Sequence, residues 1–137
     1  MIKQINRDVI SLGRKALPAA PEDAGIAADL LDTLIENRSR CVGMAANMIG
    51  VNKAIIVFES GFGRYTTMFN PKIISRSGEY VAEEGCLSLS GTRKAKRFLK
   101  IKVRFQDLDF KERTAEYSGR TAQIIQHEID HTNGIII

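Results

Sequence analysis

Hydrophobic and polar positions along the chain alternate with two different periods, which divides it into helical stretches at either end and strand-like runs between them. Across residues 24–40, Leu30, Leu31, Leu34 and Ile35 recur at the three- and four-residue spacing of one helix face, approached from Pro18 and Pro21. An amphipathic helix lying on a core is predicted there. Residues 54–58 and 65–69 read as strands joined through Gly61 and Gly63, with Asn70-Pro71 turning the chain into residues 72–75. In Lys100-Ile101-Lys102-Val103-Arg104-Phe105 every second side chain is apolar, the period of a strand with one buried and one solvated face. Strands over 98–106 and 114–117 follow from it. A helical pattern returns over 121–133, with Ile124 and Ile125 ahead and Asn133-Gly134 as a C-cap. With no repeat, linker or low-complexity segment, residues 1–137 read as a single α+β domain, a mainly antiparallel sheet around a central helix.

Composition narrows the setting. A chain of 137 residues with 44% hydrophobic content suits one core. Two cysteines and no apolar leader point to a reducing, cytoplasmic compartment, with Cys41 a small packing residue. No run approaches membrane-spanning length. Much of the net charge of +4 gathers in Arg93, Lys94, Lys96, Arg97, Lys100, Lys102 and Arg104. Such a cluster could touch ribosomal RNA, but the alternation gives the simpler account of a solvated strand face, and no sequence-specific nucleic-acid binding is predicted. Ile135, Ile136 and Ile137 are expected to complete a strand or pack on a neighbouring subunit.

The chemistry concentrates in His127-Glu128-Ile129-Asp130-His131, which holds both histidines of the chain. Residues four apart share a helix face, so two imidazoles can meet one divalent metal while Glu128 is aimed beside it, where a water would be activated. An open catalytic site takes a third protein ligand. Cys86, in Glu83-Glu84-Gly85-Cys86-Leu87-Ser88, is a candidate, its preceding glycine letting the backbone pass close to a metal or substrate. Read alone, Cys86 is equally an ordinary buried cysteine. A thiolate with two imidazoles is compatible with Zn, Fe(II), Co or Ni.

Together, Glu84-Gly85-Cys86-Leu87-Ser88, His127-Glu128-Ile129-Asp130-His131 and Gly43-Met44-Ala45-Ala46-Asn47-Met48-Ile49-Gly50 resemble the three ordered motifs of the peptide deformylases along nearly the whole chain. The resemblance implies the fold of that family, and a divalent metal bound by Cys86, His127 and His131, Fe(II) in the usual native form with Zn, Ni or Co able to replace it. It implies hydrolysis of the N-formyl group on the methionine of a new polypeptide, Glu128 moving the proton from water to the departing amine. The backbone N–H of Leu87 would face the developing oxyanion. Val42 and Gly43 would receive the methionine side chain and the peptide, and Glu84 with Arg93 would form a supporting ion pair. Association with the ribosome would suit such an activity.

The chain departs from the family pattern at Met48, where a glutamine supplies the second oxyanion donor. A thioether cannot donate a hydrogen bond. Activity is therefore expected to be weakened, with Asn47 or a water as substitute donor. Arg120 and Gln123 also stand where many relatives have apolar residues, and read on their own they are solvated helix surface. Two other readings stay open, a zinc peptidase sharing the histidine motif and a non-catalytic module that binds formyl-methionine or metal.

Overall fold

The computed structural model describes residues 1–137. Five antiparallel strands form one sheet in chain order, β1 (Gly43–Ala45), β2 (Ile55–Gly61), β3 (Arg64–Cys86), β4 (Leu89–Gln106) and β5 (Glu112–Ser118). Helices α2 (Ala24–Glu36) and α3 (Gly119–Thr132) pack on the sheet, after a short α1 (Val9–Leu12). This is the α+β arrangement expected.

Strand β2 explains how two helices can share one sheet. Ile55 and Val57 enter a core cluster with Leu30 and Leu34 of α2, while Ile56 and Phe58 enter another with Ile125 and Ile129 of α3. Successive strand residues point to opposite faces. A strand covered on both sides reads as a continuous apolar run, which is what Ile55-Ile56-Val57-Phe58 is.

Helix α2 begins behind Pro21, with the Asp23 carboxylate accepting the Ala20 N–H at 2.8 Å. It ends at Glu36, earlier than the pattern suggested, because the Asn37 side chain donates to the Thr33 carbonyl and the chain turns away. Helix α3 ends as read from Asn133-Gly134: Gly134 takes φ +73° and the Gly134 and Ile135 N–H groups return to the His131 and Asp130 carbonyls. A Cβ at Gly134 would also lie 2.6 Å from the Gly13 carbonyl oxygen.

Asn70-Pro71 does not turn the chain. The strand runs through it with a register shift between Phe69 and Lys72, Pro71 having no N–H to give the ladder and Asn70 at φ +53°. The Asn70 amide instead clasps the backbone of Ala19, accepting its N–H at 2.8 Å and donating to its carbonyl at 3.0 Å. The result is a long β3–β4 hairpin whose tip, Leu87-Ser88, carries Cys86. The terminal isoleucines form no strand. Ile137 is buried and Ile136 reaches Gly13 of the same chain, while Ile135 is 45% exposed.

Candidate active site

Three elements that meet at one end of the sheet build the site. Helix α3 supplies His127 and His131, one turn apart, with their Nε2 atoms facing each other at 3.0 Å. The hairpin tip brings the Cys86 sulfur to them, so that one ligand atom from each of the three residues lies within 4.8 Å of the others. Strand β1 passes so close to α3 that a Cβ on Gly43 would stand 2.9 Å from Glu128 Oε2 and from Ile124 Cγ2. Only glycine leaves room for that approach.

A cleft of about 460 Å³ opens beside these groups, lined by Val42, Gly43, Met48, Glu84, Cys86, Leu87, His127 and Glu128, and by Arg120, Gln123 and Ile124 along α3. Arg120 and Gln123, which alone read as solvated helix surface, therefore belong to the cleft wall. Gln123 donates to Glu84 Oε2 at 2.8 Å.

Glu84 is the hub of the polar network. One of its oxygens meets His127 Nδ1 at 2.8 Å, fixing the ring so that Nε2 points at His131. Burial alone would raise its carboxyl, but hydrogen bonds from His127, Arg97 and Gln123 hold it down at about 2. The expected ion pair with Arg93 does not form. Register sets Glu84 opposite Arg93, yet the carboxylate is taken by Arg97, at 2.6 Å, and Arg97 also reaches Asp130 at 2.7 Å. Arg93 does not line the cleft, and its Nη1 is buried without a partner. Arg97, 3% exposed, was hidden in a run of basic residues. The signal for it was phase: Arg97 falls on the same alternation as Ala95, Ile101, Val103 and Phe105, all inward-facing.

The donor set fits a cation. Burial lowers His131 to about 3, helped by the charge of His127. Burial also works against charge on His127, but hydrogen bonds to Cys86 and Glu84 and the nearby Glu128 carboxylate hold it up at about 10. The site thus favours one positive charge between the two rings, beside the Cys86 sulfur and two carboxyl groups. Burial pushes the Glu128 carboxyl up to about 7, and its Oε1 is buried with no hydrogen-bond partner, an orphan that a reacting group in the cleft would satisfy.

Asn47, within the first motif, and Cys41, just ahead of it, take different places. The Asn47 amide donates to the His131 carbonyl at 2.8 Å and does not line the cleft, so it holds the 3-10 turn after β1, Ala46–Ile49, to α3 and does not stand in for a donor at Met48. Cys41 lines the cleft beside Val42; burial, with the neighbouring Glu128 carboxylate, pushes its thiol up to about 12, and it donates to the Gly43 carbonyl at 2.8 Å.

Comparison with known proteins gives the family. Residues 2–137 match the family model described as polypeptide deformylase. The chain is 48% identical to a peptide deformylase of Clostridium beijerinckii over all of both chains. Among solved structures it is similar to the peptide deformylase of Thermus thermophilus, with a TM-score of 0.87, 33% identity and coverage of 99% of this chain and 83% of that one. It is similar also to a class I type b peptide deformylase of Acinetobacter baumannii bound to Met-Ala-Ser, with a TM-score of 0.88, 26% identity and coverage of 99% and 97%. A cleft built from Cys86, His127, His131 and Glu128, on a fold and sequence matched from end to end, makes this chain a member of the polypeptide deformylase family.

Proposed function

We propose that this deformylase, acting as one domain over residues 1–137, hydrolyses N-formyl-methionyl peptides in the cytoplasm with Glu128 as general acid–base and with an oxyanion site weakened by Met48. The observation that carries the reading is the convergence of Cys86, His127 and His131 within 4.8 Å, beside a buried Glu128 carboxylate oxygen that has no partner. Those three residues would hold a divalent ion, Fe(II) in the native protein or Zn, Ni or Co in its place, which would supply Lewis-acid polarisation of the formyl carbonyl and lower the pKa of the attacking water.

The chain's own groups do the rest. Glu128, raised to about 7 by burial, accepts the proton of the attacking water and returns it to the departing amine. Glu84 holds the His127 ring through Nδ1, and Arg97 holds Glu84. Val42, Leu87 and Ile124 give the methionine side chain apolar contact, and the close approach of Gly43 leaves space for the peptide backbone. The Leu87 N–H faces the oxygen that gains charge, and Met48 adds no donor there. The Met-Ala-Ser bound by the Acinetobacter relative is the kind of product that deformylation leaves. Work on emerging chains would bring the protein to the ribosome.

Formate release from formyl-Met-Ala-Ser, by protein prepared anaerobically with Fe(II) or Ni(II), tests the reading. Wild-type turnover is expected, raised by Met48→Gln by up to roughly 10²–10³-fold, the size of one oxyanion donor, and abolished by Glu128→Ala. Silence of both wild type and Met48→Gln with metal bound would overturn it and leave a binding protein on a deformylase fold.

A further inference from the structure

The cleft changes character away from the Cys86 and histidine end. Arg120, Gln123, Ile124 and His127 stand at helical spacing on one face of α3, and all four line the cleft. At 1.5 Å per residue, Arg120 sits about 10 Å along the axis from His127. An extended peptide covers roughly 3.3–3.6 Å per residue, so a chain whose formyl group lies at His127 passes Arg120 with its second or third residue. Arg40, on the segment leading to β1, lines the same cleft.

Both guanidinium groups belong to exposed residues. The arginines engaged in ion pairs within the chain are others, Arg97, Arg104 and Arg113, while the Arg40 guanidinium bonds only the neutral Asn37 amide oxygen, at 2.9 Å. Of the cleft carboxylates, Glu84 is occupied by Arg97 and His127, and Glu128 is buried. Glu83 is the exposed one, on the β3 wall, where it accepts from Thr92 at 3.2 Å.

We infer that Arg120 and Arg40 select formyl-methionyl peptides carrying a carboxylate side chain on their second or third residue, a preference that rests on the deformylase reading above. The first residue meets the apolar walls, and the carboxylate meets the two cations. Exposed charge pairs contribute roughly 0.2–1 kcal/mol, so the preference amounts to about 1.4- to 5-fold in kcat/KM per carboxylate. It weakens as salt screens it.

The test compares kcat/KM for formyl-Met-Asp-Ser, formyl-Met-Ala-Glu and formyl-Met-Lys-Ser with that for formyl-Met-Ala-Ser, at low and high salt. Acidic peptides should lead and the lysine peptide trail at low salt. The order should reverse in Arg120→Glu/Arg40→Glu and persist in Lys100→Glu/Lys102→Glu, the same total change of charge on the sheet, outside this cleft. Equal ratios in the wild type, or an acidic preference that survives the double reversal, would overturn the inference. Calorimetric binding of Met-Asp-Ser against Met-Ala-Ser reads the same preference without turnover, so failure of the deformylase reading and failure of the selectivity separate cleanly.

Discussion

Helices α2 and α3 cover opposite faces of one sheet, yet what they bury differs in kind. The buried positions of α2 are Ala27, Leu30 and Leu34, with Thr33 satisfied by donating to the Asp29 carbonyl at 2.8 Å. In α3 an apolar stripe of Ala122, Ile125 and Ile129 is flanked by buried Gln126, His127, Glu128, His131 and Thr132. Each of these polar groups needs a partner from another element or from its own backbone, and Glu128 Oε1 has none. One helix is spent on stability; the other holds groups in a geometry that a core alone would not choose. A buried, unpaired carboxylate oxygen is unfavourable for folding and useful for catalysis, so the two helices divide those demands between them, although Met48 belongs to the α2 cluster and Cys86 and Leu87 pack against it.

Substitutions can sharpen or break that contrast. The largest stability effect is expected from Arg97→Ala, which strands the buried Glu84 carboxylate and should cost about 3–5 kcal/mol in urea unfolding. Because Glu84 orients His127, the same variant should also bind its metal about 10–100-fold more weakly. Loss of stability with metal affinity intact would show the network to be merely structural. Leu30→Ala should cost about 2–5 kcal/mol while leaving formate release per folded molecule unchanged. A fall in kcat in that variant would mean that the cluster Leu30 shares with Met48, against which Cys86 and Leu87 pack, carries the change into the site. Gln126→Leu removes the clasp between α3 and β4, in which Gln126 accepts the Phe98 N–H and donates to the Phe98 carbonyl, both at 2.8 Å. Leaving those backbone groups unpaired should cost about 1–3 kcal/mol, measured by thermal unfolding.

What the chain discloses in advance follows the same division. Features carried by local spacing were legible: the apolar face of α2, the alternation of β4, the cap at Asn133-Gly134 and the two histidines one turn apart. Cys86 was a candidate third ligand on its own chemistry but equally a packed cysteine, and only the resemblance decided between them, since 41 positions separate it from His127 and the hairpin alone closes that distance. Asn70-Pro71 misled because its turn chemistry is real but is used to bulge a strand, with the Asn70 amide spent on Ala19. Arg93 misled because facing positions in a ladder fix backbones, not the reach of long side chains. Arg97 wins Glu84 from a different register position, and Arg120 and Gln123 belong to the cleft only because β1 and the hairpin tip stand opposite α3.

Strand β2 has Ile55, Ile56, Val57 and Phe58 all at 0% exposure, divided alternately between the two clusters. Such a strand has no idle side: a slip of one residue would exchange the contents of both cores at once. Neither helix can therefore peel away without withdrawing half the lining of β2, and the two faces should melt as one cooperative unit. A destabilising change under α2 would then shorten the lifetime of the histidine arrangement that α3 holds on the other face of β2.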